Sequence, residues 1–213
     1  MEPLSALLGA GGFALGLAAD RFATRWPEHD EEHPPGRAVD WRTAATALIG
    51  ALAFGLLPLR FGGDPLALIA FGAWFVTLVI GLATDLDQRQ LPDPLTLTVI
   101  PVALLYAAAG SNPLVGTELV PAVIAAVAIP AILFLPSIPF GAGAFGIGDV
   151  KLLVGVGLVA GGSRALSSVV FALVAAGVVL VLLLAARRIG RRTYVPFGPF
   201  FILGALWAVL LRA

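Results

Sequence analysis

Leu66-Ala67-Leu68-Ile69-Ala70-Phe71-Gly72-Ala73-Trp74-Phe75-Val76-Thr77-Leu78-Val79-Ile80-Gly81-Leu82-Ala83-Thr84 carries no charge and runs directly into Asp85-Leu86-Asp87. A hydrocarbon core of about 30 Å takes roughly 20 apolar residues of helix. The stretch therefore predicts a helix that crosses a bilayer and stops where its first acid reaches the interface. Seven further apolar runs, at about 4–19, 43–59, 94–110, 118–138, 150–162, 165–186 and 196–211, are set apart by short polar, glycine-rich or proline-rich punctuation. The expected fold is all-α, a polytopic transmembrane helix bundle of about eight spans forming a single domain over residues 1–213. The sixth run is short enough to be tilted or to merge with its neighbour. The alternation that a lipid-exposed β-barrel requires is absent.

With 59% hydrophobic and 12% charged residues, and a mean hydropathy of +0.99, the chain cannot clothe itself in a water-compatible surface. Thirteen basic residues balance thirteen acidic ones, so no net field favours nucleic acid as a partner. The charges report topology instead. If eight spans start outside, Arg21, Arg25, Arg37, Arg42, Arg89, Lys151, Arg187, Arg188, Arg191 and Arg192 all fall in cytoplasmic loops, and only Arg60, Arg164 and Arg212 fall opposite. That bias predicts a multi-pass protein of the inner (cytoplasmic) membrane, its N-terminus outside, with Asp85 and Asp149 facing the cytoplasm. The first run follows Glu2 rather than a basic segment, which favours a retained helix over a cleaved signal.

No cysteine is present, which excludes disulfides, a Cys-ligated zinc and a thiol nucleophile. The polar segment 20–42 contains Glu28-His29-Asp30-Glu31-Glu32-His33-Pro34-Pro35. His29 and His33 have the spacing of a metal-binding pair on a helix, but the two prolines disfavour a helix there. The expectation is a solvated loop and no metal.

Two constellations carry chemistry. An ionisable group beside hydrocarbon is penalised unless it has a partner or a task, so Asp85 either ends its helix at a fixed depth or acts. Gly141-Ala142-Gly143-Ala144-Phe145-Gly146-Ile147-Gly148-Asp149-Val150-Lys151 sets a second acid behind four glycines, which admit close backbone approach. Alone, Asp149 reads equally as the N-cap of the sixth helix. Together the acids suggest more, because two carboxylates within a few ångströms share a proton and so supply a base and an acid at once. Water-driven peptide hydrolysis needs that pair and no cofactor. Lys151 is placed to bias Asp149 or bind a lipid phosphate, and also to snorkel at the interface.

At these residues the sequence resembles the prepilin leader peptidases, intramembrane aspartic peptidases of the Gly-x-Gly-Asp type. Three stretches carry the likeness over about residues 66–205: Asp85 to Asp93 for the family's Asp-x5-Leu-Pro-Asp element, Gly146 to Leu152 for Gly-x-Gly-Asp-x-Lys-Leu, and Pro196 to Phe200 for Pro-Phe-Gly-Pro-Phe. The resemblance implies that Asp85 and Asp149 are the catalytic pair and Asp87 an auxiliary acid, with Gly146, Gly148 and Lys151 as further site residues. It implies as substrates the precursors of type IV pilins or pseudopilins, cut on the cytoplasmic side between a basic leader and a hydrophobic helix. Many bacterial members also methylate the new N-terminus from S-adenosylmethionine and carry a Cys-x-x-Cys insert. Here the exit of the first helix keeps only a glycine and Arg25-Trp26-Pro27 of the corresponding stretch, and the loop at 20–42 stands in place of the cysteine-containing insert. That departure counts against methyl transfer and leaves the peptidase motifs intact. A proton-coupled small transporter would use the same aspartates, but leaves the Leu-Pro-Asp and Pro-Phe-Gly-Pro stretches without a reason.

Overall fold

The computed structural model describes residues 2–29, 31, 34–140, 145–188, 190 and 195–212, and among them every regular element is a helix. In chain order these are α1 (Glu2–Ala23), α2 (Trp41–Phe61), α3 (Pro65–Gln88), α4 (Asp93–Thr96), α5 (Val99–Ala108), α6 (Leu119–Phe134), α7 (Ile147–Ala160), α8 (Gly162–Ala185) and α9 (Gly198–Leu210). A 3₁₀ turn, Leu135–Phe140, extends α6. Five helices are long and apolar enough to cross a bilayer: α1, α2, α3, α6 with its extension, and α8. All eight apolar runs are helical, so the bundle has between five and eight spans.

Local chemistry sets the boundaries. Asp40 caps α2 by accepting from the Arg42 N–H (2.8 Å), and Asp64 caps α3 by accepting from the Ala67 N–H (3.0 Å), with Pro65 pre-set for the first helical position. The fourth apolar run is broken into α4 and α5. Pro101 has no N–H to offer the Leu97 carbonyl one turn earlier, and the chain turns at residues 97–98. The sixth run is a helix of its own, divided from α8 at Gly161, whose φ of +77° a side chain would resist.

α1 and α2 pack backbone against backbone. A methyl carbon on Gly16 would sit 2.4 Å from the Thr46 carbonyl oxygen, and one on Gly12 would sit 2.2 Å from that of Gly50. Small residues let helices approach this closely in lipid, where the hydrophobic effect does not drive association. Phe71, Phe75, Leu78 and Leu82 of α3 are buried in one core with Leu153 and Val156 of α7 and Phe201 and Ile202 of α9. α9 packs on both α3 and α7. The large apolar side chains left outside, among them Leu52, Ile69, Val127 and Val174, form the surface a bilayer would cover.

Candidate active site

Asp85 stands one turn from the end of α3, which stops at Arg89 in the left-handed conformation (φ 57°), before Leu91-Pro92 leads into α4. Asp149 stands in the first turn of α7, where an acid suits the positive end of the helix. It is not the cap. Gly146 holds the cap position, and the Asp149 carboxylate lies against it, with Oδ2 3.1 Å from where a methyl carbon on Gly146 would sit.

The two acids meet across Gly198, the first residue of α9. A methyl carbon built there would lie 2.5 Å from Asp85 Oδ2 and 3.3 Å from Asp149 Oδ1, so the two oxygens are no farther apart than the sum of those distances. Both carboxylates are buried, at 4% and 8% exposure, and Asp85 Oδ2 has no hydrogen-bond partner among the described residues. They share a cavity of about 590 Å³, lined also by Gly146, Gly148, Leu91, Pro92, Asp93, Pro196 and Phe197, and closed on one side by Trp26 and Pro27 from the α1–α2 segment. Gly148 is small for a steric reason: a methyl carbon on it would press to 2.9 Å from Leu91 Cβ. The third motif stretch thus supplies the gap between the acids. Sequence reasoning matched Pro196 to Phe200 but gave Gly198 no role, since nothing local to residue 198 says which side chains face it.

The other residues named from sequence lie beside this cavity. Lys151 Nζ is 2.5 Å from Asp93 Oδ1, which ties α7 to the start of α4. Asp87, 5% exposed, is absent from the cavity lining and is held from the α1–α2 segment instead. Arg37 spans three carboxylates at once: Asp87 (2.5 Å), Asp20 (2.5 Å) and Asp40 (2.6 Å). Arg42 approaches Asp87 at 3.4 Å, and Thr43 Oγ1 donates to Asp20 at 2.7 Å. Burial works against the Arg37 charge, but the Asp87 and Asp20 carboxylates outweigh it and hold the guanidinium above its ordinary value.

The expected solvated loop is therefore only partly that. α1 continues through Ala23, and the segment after it folds back on the bundle because Arg37 finds buried acids to neutralise. His29 Nε2 lies 3.0 Å from Gln88 Nε2 and 3.7 Å from Asp87 Oδ2. His33 and Gly141–Ala144 fall outside the described residues.

A family model described as the type IV leader peptidase family matches residues 73–185. The chain belongs to that family. The match takes in Asp85 and Asp149 and ends before Gly198. Among curated proteins, the chain is 32% identical, over 78% of its length, to a type 4 prepilin-like proteins leader peptide-processing enzyme of Escherichia coli O78:H11. It is 34% identical, over 73% of its length, to a prepilin leader peptidase/N-methyltransferase of Burkholderia pseudomallei. It spans 60% of the first protein and 50% of the second. No solved structure matches significantly.

Proposed function

We propose that this chain is an intramembrane aspartic endopeptidase that removes the leader from type IV prepilin-like precursors at the cytoplasmic face of the inner membrane. Asp85 and Asp149 are its catalytic pair. What carries the reading is the juxtaposition at Gly198: two buried carboxylates, one oxygen without a hydrogen-bond partner among the described residues, from helices far apart in sequence and lining one cavity. One carboxylate takes a proton from a water that attacks the scissile carbonyl. The other, protonated, polarises that carbonyl and then gives its proton to the leaving amine. The water is consumed in the hydrolysis, no covalent enzyme intermediate forms, and no cofactor takes part.

Orientation rests on the basic residues of the α1–α2, α3–α4 and α8–α9 connections, which put the cavity on the positive side. Cleavage there requires the precursor to be extended at the scissile bond, because a helical peptide engages its own carbonyls. Methyl transfer is left out of the proposal, since the segment between α1 and α2 is short and has no cysteine. The test is purified protein with a purified prepilin, read by mass spectrometry for leader loss and for an added methyl group. Asp85→Asn and Asp149→Asn should each abolish leader loss while the protein still accumulates in the membrane. Full activity in either variant refutes the pair.

A further inference from the structure

The acid cavity does not end at the acids. Leu91, on its wall, also borders a narrow neck of about 10 Å³ between α3, α4 and α7. Trp74, Thr77 and Val99 in turn border both that neck and an apolar groove of about 300 Å³. The groove runs between α3 and α5 over a floor that includes Val159 of α7, and it opens sideways at Ala73 and at Val102, which is 66% exposed. Side chains rather than backbone close the neck. A methyl carbon on Gly81 would meet Leu91 Cδ2 at 3.2 Å, and one on Gly155 would meet Val99 Cγ1 at 3.3 Å, so two rotamer changes widen it.

We propose that this groove seats the hydrophobic helix of the precursor whose leader is removed, an inference that rests on the peptidase reading above. Continuity selects the occupant. From Asp85 back to Ala70, α3 covers about 22 Å at 1.5 Å per residue, so a peptide bond held at the acids leaves some four turns of the following helix alongside α3. A second lipid-facing groove of about 300 Å³, between α2, α8 and α9 at Leu52, Phe171 and Trp207, shares no lining residue with the neck or with the acid cavity. Tyr106, whose hydroxyl is buried and has no hydrogen-bond partner among the described residues, also lines the α3–α5 groove.

The experiment compares two substrates: a full prepilin, and a short peptide covering the leader and the first few mature residues. Ala73→Trp and Val102→Trp fill the groove, and Val174→Trp places the same side chain on the outer face of α8 as a control. The groove variants should raise KM for the full prepilin at least tenfold while leaving the short peptide and the control unaffected. Wild-type KM for the full prepilin in either folded groove variant means the groove holds lipid alone and overturns the proposal. So does an equal loss on both substrates, which points to a distorted acid site. If the wild type cuts neither substrate, the peptidase reading fails and the assigned occupant with it. Should the tryptophan variants not accumulate, Val102→Cys in an Asp85→Asn background decides, because the chain has no other cysteine. It should crosslink to cysteines along one face of the prepilin helix, and the absence of any crosslink sinks the groove.

Discussion

Replacing Gly198 by alanine tests the geometry of the site without removing any chemical group from it. The added carbon would fall 2.5 Å from Asp85 Oδ2, 2.8 Å from its Cγ and 3.3 Å from Asp149 Oδ1. Restoring an ordinary separation of about 3.5 Å requires the Asp85 carboxylate or the start of α9 to move by about 1 Å. A misplacement of that size costs roughly 100-fold in rate, about 2.7 kcal/mol of transition-state stabilisation. The overpacking itself should lower stability by about 1 to 3 kcal/mol. Single-turnover cleavage of a prepilin in detergent measures the first effect, and thermal loss of helical circular dichroism the second. Gly177→Ala on α8 is the matched control, since a methyl carbon there meets nothing within 4 Å. It should keep full activity and be as stable or slightly more so. Gly198→Ala cleaving within twofold of wild type would refute the claim that this glycine keeps the space between the acids.

Arg37→Met should cost about 1.5 to 3 kcal/mol in the same thermal assay, because it removes charged hydrogen bonds to the buried Asp20 and Asp87 carboxylates while Arg21 still pairs with the first and Arg42 still approaches the second. Arg37→Lys should recover only part of this, since a point charge cannot span three acids. The sign follows from the raised Arg37 value: the contribution is lost as pH rises above the ordinary arginine range, and it also disappears in acid once the partner carboxylates take up protons. Cleavage should show a bell-shaped pH profile, falling at low pH when both acids are protonated and no base remains, and at high pH when both are charged and no acid remains; a rate independent of pH would count against a working pair. Lys151→Met should change stability by less than about 1 kcal/mol, because its partner Asp93 is 60% exposed.

Hydropathy and spacing made much of this protein legible, because a bilayer imposes length and apolarity on any helix that crosses it. Each apolar run is helical, and the division at Gly161 falls on a residue whose backbone freedom is visible in the sequence. Hydropathy alone reads 94–110 as one run and does not show its break at residues 97–98. The acids were legible because charges at the edge of hydrocarbon are conspicuous. Side-chain direction across long separations was not. Asp87 has the same local setting as Asp85, one near the end and the other at the edge of the same helix, yet it turns toward Arg37, 50 positions earlier. Gly198 lacks a side chain altogether, and its part in the site exists only through what α3 and α7 bring to either side. The sequence marks Trp26 and Pro27 only as part of an Arg-x-Pro remnant, and their place on the cavity wall depends on how the α1–α2 segment folds back.

The meeting of the two acids is governed by a helix that contributes neither of them, and the glycine at its start lies beyond the residues the family model matches. Screens of genomes that score only the paired aspartate signatures will therefore accept chains in which this position has acquired bulk. Such copies should cleave far more slowly, and one codon would suffice to separate the two groups.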